Sequence, residues 1–359
     1  MKIAVYAISK NESKFAERWM KSMREADEVY VLDTGSDDDT AKKLRSLGAI
    51  VKTEAIVPWR FDVARNRSMD MLPEDVDVCV CTDLDEVFRP GWRKALERAW
   101  VPGTDRATYE YAWSMKEDGT PGTVFMYEKI HSRTGYRWTH PVHEVLERTD
   151  GRAENRVRAE GVFLEHYPDK TKSRAQYLSL LELSVVESPE DDRNMHYLGR
   201  EYMFRGRWDD CITTLRRHLT MPGAVWKDER AASMRFIAHS LHMKGKFREA
   251  RDEYLRAIAE APHLREPYVD LSELLYELKE WYGVLYFTEC ALRITVRPET
   301  YICEAKSWGS LPHDLRAIAF YNTGMMQNAL DEAEKALSIE PDNERLKNNV
   351  TLIRNEIRG

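Results

Sequence analysis

The sequence predicts an α/β domain with a Rossmann-like parallel sheet, followed by an all-α domain of helical repeats. In the first half of the chain, short apolar segments alternate with amphipathic ones, which is typical of strands joined by helices. In the second half the pattern is almost wholly helical, and a helix-turn-helix unit recurs. We therefore expect an α/β domain over residues 1–170 and a repeat domain over residues 171–359.

Strand and helix signals follow one another regularly from the start of the chain. The expected elements are a strand at Lys2–Ile8, a helix at Glu12–Glu25, a strand at Glu28–Leu32, a helix at Thr40–Leu47 and a strand from Ala49. Strands separated by helices form parallel sheets with right-handed crossovers, so the residues that follow each strand meet at one edge. Open α/β sheets bind their ligands at that edge.

An apolar strand that ends abruptly in carboxylates is the most informative part of this half. Val78–Cys81 is followed by Thr82, and then by Asp83 and Asp85 with Leu84 between them. Carboxylate oxygens at the ligand edge suit a divalent cation and a diphosphate. The alternative is an acidic turn with no ligand, which is the usual explanation of an isolated Asp-x-Asp.

Four motifs, each at an expected strand end or helix start, carry a family resemblance. They are Lys10-Asn11-Glu12, Asp33-Thr34-Gly35-Ser36, Ala64-Arg65-Asn66 and Asp83-Leu84-Asp85. In this order they resemble the GT-A fold, family-2-type glycosyltransferases, over roughly residues 1–170. The chain is similar in particular to the branch in which tetratricopeptide repeats follow the catalytic domain, a branch that includes peptide S-glycosyltransferases.

The resemblance implies roles for individual residues. Asn11, Asp33, Arg65 and Asp83 would bind the nucleotide-sugar donor, with Asp33 at the base or ribose, Arg65 at the base or diphosphate and Asp83 at the ribose. Asp85 would bind Mn²⁺ or Mg²⁺ with His166 as an additional ligand, and an imidazole suits Mn²⁺ better than Mg²⁺. The alternative is that His166 is a surface or core histidine that binds no metal. The motif Asp33-Thr34-Gly35-Ser36 departs from the commoner Ser-Thr-Asp-Gly ending, which leaves the fine specificity for the donor open.

The segment between the two halves is where we expect the acceptor to bind. Two segments with alternating apolar and polar residues, Tyr109–Met115 and Val124–Ile130, come first. The aromatic stretch Tyr136–Glu144 follows them and contains Trp138, His143 and Glu144. Transfer by single displacement needs a base near the acceptor, and Glu144 is the candidate. Trp138 and His143 would line the sugar pocket. The alternative is that Glu144 is a structural carboxylate paired with Arg133 or Arg137.

The second half contains four degenerate helix-turn-helix repeats. Their turns are Gly206-Arg207-Trp208, Gly245-Lys246-Phe247, Lys279-Glu280-Trp281 and Thr323-Gly324-Met325. The spacings between these turns, roughly 39, 34 and 45 residues, scatter around the 34 of a tetratricopeptide repeat. The aromatic residues at the turns are more typical of packing between helices than of a binding site.

Composition sets limits on location and partners. The 359 residues are 43% hydrophobic and 32% charged, and no apolar run approaches the ~20 residues of a membrane span. The five cysteines lack a metal-like spacing, so we expect reduced thiols and a cytoplasmic protein. A net charge of -7 gives no general attraction to nucleic acid.

Together these observations predict a metal-dependent inverting glycosyltransferase that uses a nucleotide sugar, with a UDP-sugar as the expected donor. The expected acceptor is a hydroxyl or thiol of a peptide or protein. Alternatives are a hydroxymethylated base of phage DNA or a surface glycan. A DNA acceptor requires clustering of Arg60, Arg65, Arg67, Arg133, Arg137, Arg152, Arg156 and Arg158. A repeat adaptor without catalytic activity is the alternative from a different class.

Overall fold

The computed structural model describes residues 1–116, 118–169 and 175–358. The chain divides into two compact units, Met1–Ser184 and Val185–Gly359. The boundary predicted between residues 170 and 171 lies outside the described residues. Within the described part of the chain, no helix is both long enough and apolar enough to cross a membrane.

The first unit, called the sheet unit here, is built on a mixed eight-stranded sheet with the order β3-β2-β1-β4-β7-β6-β10-β5. Its strands are β1 (Ile3–Ser9), β2 (Glu28–Asp33), β3 (Ile50–Thr53), β4 (Val78–Cys81), β5 (Glu86–Phe88), β6 (Arg106–Ala112), β7 (Val124–Ser132) and β10 (Arg156–His166). A separate hairpin pairs β8 (Tyr136–Thr139) with β9 (Val145–Arg148). The helices are α1 (Ala16–Met23), α2 (Thr40–Ser46), α3 (Phe61–Met69), α4 (Trp92–Ala99) and α5 (Tyr177–Glu187), the last of which extends past Ser184.

The predicted parallel arrangement holds for only part of the sheet. β3, β2, β1 and β4 are parallel neighbours, whereas β7 runs antiparallel between β4 and β6, and β5 runs antiparallel beside β10. Because β6 and β10 are again parallel to each other, six strands have their carboxyl ends at the same edge. The connections from β1 to β2 and from β3 to β4 lead in opposite directions from the centre, which creates a switch point between β1 and β4.

Both faces of the central strand are buried, as expected for a strand inside an α/β sheet. Ile3, Val5 and Ala7 pack into the larger core together with Trp19 and Trp92 on helices α1 and α4. The alternate residues Ala4 and Tyr6 belong to a second core that contains Trp138 of β8. All seven residues of β1 are buried, which explains why its sequence is a continuous apolar run.

The second unit, called the helical unit here, consists of helix hairpins, as the repeat pattern predicts. Its helices are α6 (Asp192–Phe204), α7 (Trp208–His218), α8 (Lys227–Met243), α9 (Phe247–Glu260), α10 (Glu266–Glu277), α11 (Trp281–Arg293), α12 (Leu311–Asn322), α13 (Met326–Ile339) and α14 (Glu344–Arg358), with a short 3-10 helix at Ala305–Trp308. Each of the four hairpin turns contains a residue with positive φ: Gly206, Gly245, Lys279 and Gly324. The third turn therefore holds a lysine in the conformation that glycine adopts at lowest cost.

Candidate functional site

The candidate site lies at the edge of the sheet where the parallel strands end. Asn11 follows β1, Asp33 ends β2, Asp83 and Asp85 follow β4, and His166 ends β10. The segment from Thr82 to Asp85 connects β4, in the middle of the sheet, to β5 at its far edge. Crevices beside a switch point are where open sheets bind ligands, so the topology supports the position predicted from sequence.

Arg65 is the centre of the polar contacts at this edge. It projects from α3, and its side chain is only 3% exposed. Its Nη2 lies 2.7 Å from Asp83 Oδ1, and its Nε donates to Glu144 Oε1 at 2.9 Å. Burial works against the charged guanidinium, but Asp83 and Glu144 outweigh it and raise the pKa of Arg65 well above its ordinary value. Arg65 therefore joins the predicted donor site to the predicted base.

Asp83 is held between two cations. Its second oxygen, Oδ2, accepts a hydrogen bond from Lys129 Nζ at 3.3 Å. Burial favours the protonated carboxyl, but Arg65 and Lys129 outweigh it and lower the pKa of Asp83. Lys129 comes from β7, the strand that pairs antiparallel with β4. Asp83 is thus ionised, and each of its oxygens has a cationic partner.

Asp85 differs from Asp83 because no lysine or arginine of the described residues pairs with it, although its side chain is only 15% exposed. Among the described residues its only ion-pair partner is His166, whose Nε2 lies 3.4 Å from Asp85 Oδ2. His166 Nδ1 donates to the carbonyl of Trp113 at 2.9 Å, so in the neutral ring the lone pair of Nε2 is directed toward Asp85. Two ligand atoms at this spacing can contact one divalent cation. Among the described residues, no third His, Cys, Asp or Glu side chain joins Asp85 and His166 in a metal-sized cluster.

Glu86 binds the backbone of the Asp83–Asp85 loop. Its Oε2 accepts the backbone N–H of Asp83 at 2.9 Å, and its Oε1 accepts the hydroxyl of Tyr111, also at 2.9 Å. Burial raises the pKa of the Glu86 carboxyl. Glu86 and Lys129 were not predicted as site residues, although Glu86 directly follows Asp85 and Lys129 stands in the segment Val124–Ile130. A charged residue within an apolar strand was the available signal.

Asp33 and Asn11 organise the loops around the site. Asp33 is buried and accepts hydrogen bonds from the hydroxyls of Ser9 and Ser36 and from the backbone N–H groups of Gly35 and Ser36. Asn11 has φ 54° and connects the two loops, because its N–H donates to Ser36 Oγ and its Oδ1 accepts the N–H of Asp37. Both residues lie where predicted, but the carboxylate of Asp33 is already used by its own turn.

Trp138 does not lie where the sequence prediction placed it. Its ring is 2% exposed in the second core, and its Nε1 donates to Tyr6 Oη at 2.9 Å. The predicted sugar-facing role is therefore wrong for this arrangement, because the strand turns this ring inward. The exposed aromatic ring at the site is Trp113, which is 46% exposed and stands 5.1 Å from the ring of His166.

The loop that carries Glu144 is held against α3. Asn66 and Trp138 exchange two hydrogen bonds, and Phe61 N–H donates to the carbonyl of Pro141 at 3.0 Å. His143, beside Glu144, has φ 52° and places its ring edge-on to Tyr177 at 5.9 Å. The alternative prediction that Glu144 pairs with Arg133 or Arg137 is wrong, because Glu144 pairs with Arg65. Arg133 instead donates to backbone carbonyls of Leu72 and Pro73.

A surface hollow of about 280 Å³ opens beside His166. It is lined by Phe15, Arg18, Met115, His166, Tyr167 and Pro168. Arg18 stacks over Tyr167 at 4.2 Å, so one wall combines an aromatic ring with a cation. Such a wall suits a ligand that has both a planar ring and a negative charge.

No known protein-family model matches the chain. Solved structures similar to part of it include MamA, with 18% identity, a TM-score of 0.39 and coverage of 49% of this chain and 96% of that one. Another is YrrB, described as a TPR protein with an unusual peptide-binding site, at 12% identity, TM-score 0.39 and coverage of 50% and 84%. A third is a thermophilic TPR protein of Thermus thermophilus, at 16% identity, TM-score 0.36 and coverage of 49% and 88%. TM-scores below 0.5 do not assign the chain to a family, so the description of the helical unit rests on its own helix pairs.

Proposed function

We propose that the sheet unit is a metal-dependent inverting glycosyltransferase that uses a nucleotide sugar, with a UDP-sugar as the expected donor. The observation that carries the proposal is the contrast at the switch-point edge between Asp83, which is paired with two cations, and Asp85, whose only ion-pair partner among the described residues is His166. This arrangement supports a site completed by a diphosphate and a cation.

The residues present fit Mn²⁺ or Mg²⁺. Asp85 supplies a carboxylate oxygen, and His166 supplies an imidazole nitrogen, which favours Mn²⁺. A cation bound by these two residues would stabilise the charge that forms on the leaving diphosphate. Arg65 and Lys129 lie behind Asp83 and hold the Asp83–Asp85 loop in one conformation. Arg18 is positioned to add positive charge at the adjoining hollow.

Glu144 is the proposed base toward the acceptor. Its Oε1 accepts from Arg65, and among the described residues no group donates to its Oε2. Oε2 is therefore the oxygen that can take a proton from a hydroxyl or thiol as that atom attacks the anomeric carbon. Trp113, rather than Trp138, is the exposed ring that can pack against the donor near His166.

A peptide or protein side chain remains the proposed acceptor, and the structure gives less support to DNA. Phosphate binding requires free cations, but many of the arginines considered for DNA already bind carboxylates or carbonyls: Arg60, Arg65, Arg133, Arg152 and Arg156. A surface glycan stays an alternative acceptor.

The second candidate function is that of a repeat adaptor without catalytic activity. It is favoured by an exposed aromatic pair on α11, where Tyr282 is 72% exposed and Tyr286 is 64% exposed. Residues four apart share one face of a helix, and tyrosines are enriched where proteins bind each other. In the glycosyltransferase proposal the same face can hold the peptide acceptor.

UDP release tests the proposed function without knowledge of the acceptor. The full-length protein is incubated with Mn²⁺ and a panel of UDP-sugars, and free UDP is measured. We expect slow hydrolysis of at least one donor, and a loss of about 100-fold or more in Asp85→Asn because a ligand of the metal is removed. Asp70→Asn, an exposed residue at the end of α3, is the matched control and should be unchanged.

Two results would count against the proposal. Equal hydrolysis by wild type and Asp85→Asn would show that Asp85 holds no metal needed for turnover. No hydrolysis of any donor, together with no effect of Mn²⁺ on UDP affinity by calorimetry, would favour the adaptor.

A further inference from the structure

The helical unit contains a buried cluster of metal-binding side chains that the proposed transferase does not use. His196 lies near the start of α6, His218 is the last residue of α7, and Glu229 is in the first turn of α8. The two histidines are 0% exposed and Glu229 is 6% exposed. One ligand atom from each side chain lies within 4.8 Å of the others, and no other three His, Cys, Asp or Glu residues in the described ranges meet this condition.

Hydrogen bonds fix the orientation of both imidazole rings. Ser233 Oγ, one turn further along α8, lies 2.8 Å from His196 Nδ1 and 3.0 Å from His218 Nδ1. With both Nδ1 atoms on one hydroxyl, each ring has its Nε2 left, and the Nε2 of His218 faces Glu229. Neither Nε2 has a hydrogen-bond partner within the described part of the chain, although both are buried. A buried polar atom without a partner destabilises the folded protein, so this arrangement needs an explanation.

The distance between His218 and Glu229 indicates what kind of partner these side chains lack. His218 Nε2 is 3.5 Å from Glu229 Oε1, which is longer than an ordinary N–H···O hydrogen bond. Two ligands on one tetrahedral Zn²⁺, each about 2.0–2.1 Å from the ion, lie roughly 3.4 Å apart. The observed separation therefore fits two ligands of a shared ion better than a direct hydrogen bond.

The surrounding residues resemble the outer contacts of a metal site. A histidine that binds a metal usually donates its other ring N–H to an acceptor, and a hydroxyl oxygen has two lone pairs. Ser233 can therefore accept from both Nδ1–H groups, which leaves both Nε2 lone pairs for an ion. The other oxygen of Glu229, Oε2, accepts a hydrogen bond from the hydroxyl of Tyr301, which holds the carboxylate in place.

We propose that His196, His218 and Glu229 form a Zn²⁺ site, with Ser233 and Tyr301 as the residues that orient the ligands. Two imidazoles and one carboxylate are a ligand set that Zn²⁺ binds in proteins, with a fourth position for water. The site joins helices α6, α7 and α8, so its role is to stabilise the first repeats of the helical unit. It is separate from the cation of the proposed transferase, which uses Asp85 and His166.

Zinc binding is measured on the full-length protein after removal of metal with a chelator. The Asp85→Asn variant is used as the background, so that the sheet-unit site does not contribute. We expect about one Zn²⁺ per chain by mass spectrometry of bound metal, and a rise in the melting temperature when Zn²⁺ is added back. Co²⁺ in the same protein should give the visible absorption of a tetrahedral site.

Substitutions then locate the ion. His196→Gln and Glu229→Gln, added separately, should each lower zinc affinity at least about 100-fold, because each removes a ligand but keeps a side chain of similar size. His313→Gln is the matched control, since His313 is also paired with a glutamate, Glu332, but belongs to no three-ligand cluster among the described residues. Circular dichroism checks that each variant is folded.

The measurement on the Asp85→Asn protein with an unchanged cluster decides even if a further variant fails to fold. A folded protein in the Asp85→Asn background that binds no Zn²⁺ at micromolar concentration would overturn the proposal. Zinc affinity that is unchanged in folded His196→Gln would also overturn it, because the ion would then be elsewhere.

Discussion

Two buried histidines, one in each unit, differ in how completely the protein satisfies them. His131 of the sheet unit and His196 of the helical unit are both 0% exposed, and burial lowers the pKa of each to about 3. His131 uses both ring nitrogens, because Nδ1 donates to the carbonyl of Ser132 and Nε2 accepts from the hydroxyl of Tyr6, each at 2.8 Å. Among the described residues, His196 finds a partner only for Nδ1. The sheet unit thus completes the polar contacts of its buried histidine alone, whereas the helical unit leaves a position for a ligand.

The largest expected effect tests how far the stability of the sheet unit depends on the ion pairs of Arg65. Arg65→Met removes the cation paired with Glu144 and one of the two cations paired with Asp83, and we expect a loss of about 3–5 kcal/mol in the free energy of unfolding because these partly buried carboxylates lose a buried partner. Denaturant unfolding followed by tryptophan fluorescence measures it. Arg67→Met, whose side chain is 57% exposed, is the control and should change stability by less than about 0.5 kcal/mol. Equal stability of Arg65→Met and wild type would show that water or protonation replaces the ion pairs.

The second prediction separates pairing from catalysis at Glu144. Glu144→Gln keeps an oxygen for Arg65 but removes the basicity, so we expect transfer to an acceptor to fall about 100-fold or more while UDP release without acceptor persists. A panel of peptides containing serine, threonine or cysteine supplies acceptors. Near wild-type transfer by this variant would leave Glu144 with a structural role only.

A pH titration tests whether His131 is held neutral. Between pH 6.5 and 4.5 the unfolded His131 binds a proton, whereas the folded one, with a pKa of about 3, does not. Stability must therefore fall as pH falls, by about 2.3 kcal/mol over these two pH units, because the unfolded histidine is already about half protonated at pH 6.5. In His131→Gln this part of the loss should disappear, while wild type and variant should show the same slope between pH 7 and 8. Identical slopes below pH 6.5 would show that folded His131 is already protonated there.

The smallest effect concerns the residue that orients the histidines of the helical unit. Ser233→Ala removes the shared acceptor of both Nδ1 atoms, and we expect zinc affinity to fall about 10- to 100-fold, less than on loss of a ligand. Competition with a coloured chelator measures the affinity. Ser240→Ala, whose hydroxyl donates to a carbonyl of the same helix, is the control. An effect as large as that of Glu229→Gln would place the Ser233 oxygen on the metal itself.

The sequence predicts the sheet edge well because that information is local. Apolar strands, their polar ends and the order of connections place Asp33, Asp83 and Asp85 together without knowledge of side-chain packing. Lys129 was missed because its pairing with Asp83 depends on β7 running antiparallel beside β4, which no local pattern indicates. Trp138 was misplaced because the β8–β9 hairpin decides which face each aromatic residue takes.

The histidine and glutamate cluster could not be predicted from spacing. His196, His218 and Glu229 stand on three different helices, and each alone has the pattern of an ordinary helical residue. Only the packing of α6, α7 and α8 brings them together. The Arg65–Glu144 pair is similar, because it joins residues on α3 and on the loop between β8 and β9. Sequence patterns predict elements more reliably than the side-chain contacts between them.

The short strand β5 has a consequence for how the transferase site could be observed. Asp85 directly precedes β5, and His166 pairs with Glu86 of β5 at the end of β10. The N–H of Tyr167 donates to the carbonyl of Asp85 at 2.8 Å, so one backbone hydrogen bond joins Asp85 to the residue that follows His166. An ion bound by the side chains of Asp85 and His166 would join the start of β5 to the end of β10 and stabilise their pairing. Deuterium uptake at the amide of Tyr167 should therefore slow when Mn²⁺ and UDP bind, which makes one backbone hydrogen a reporter of the site.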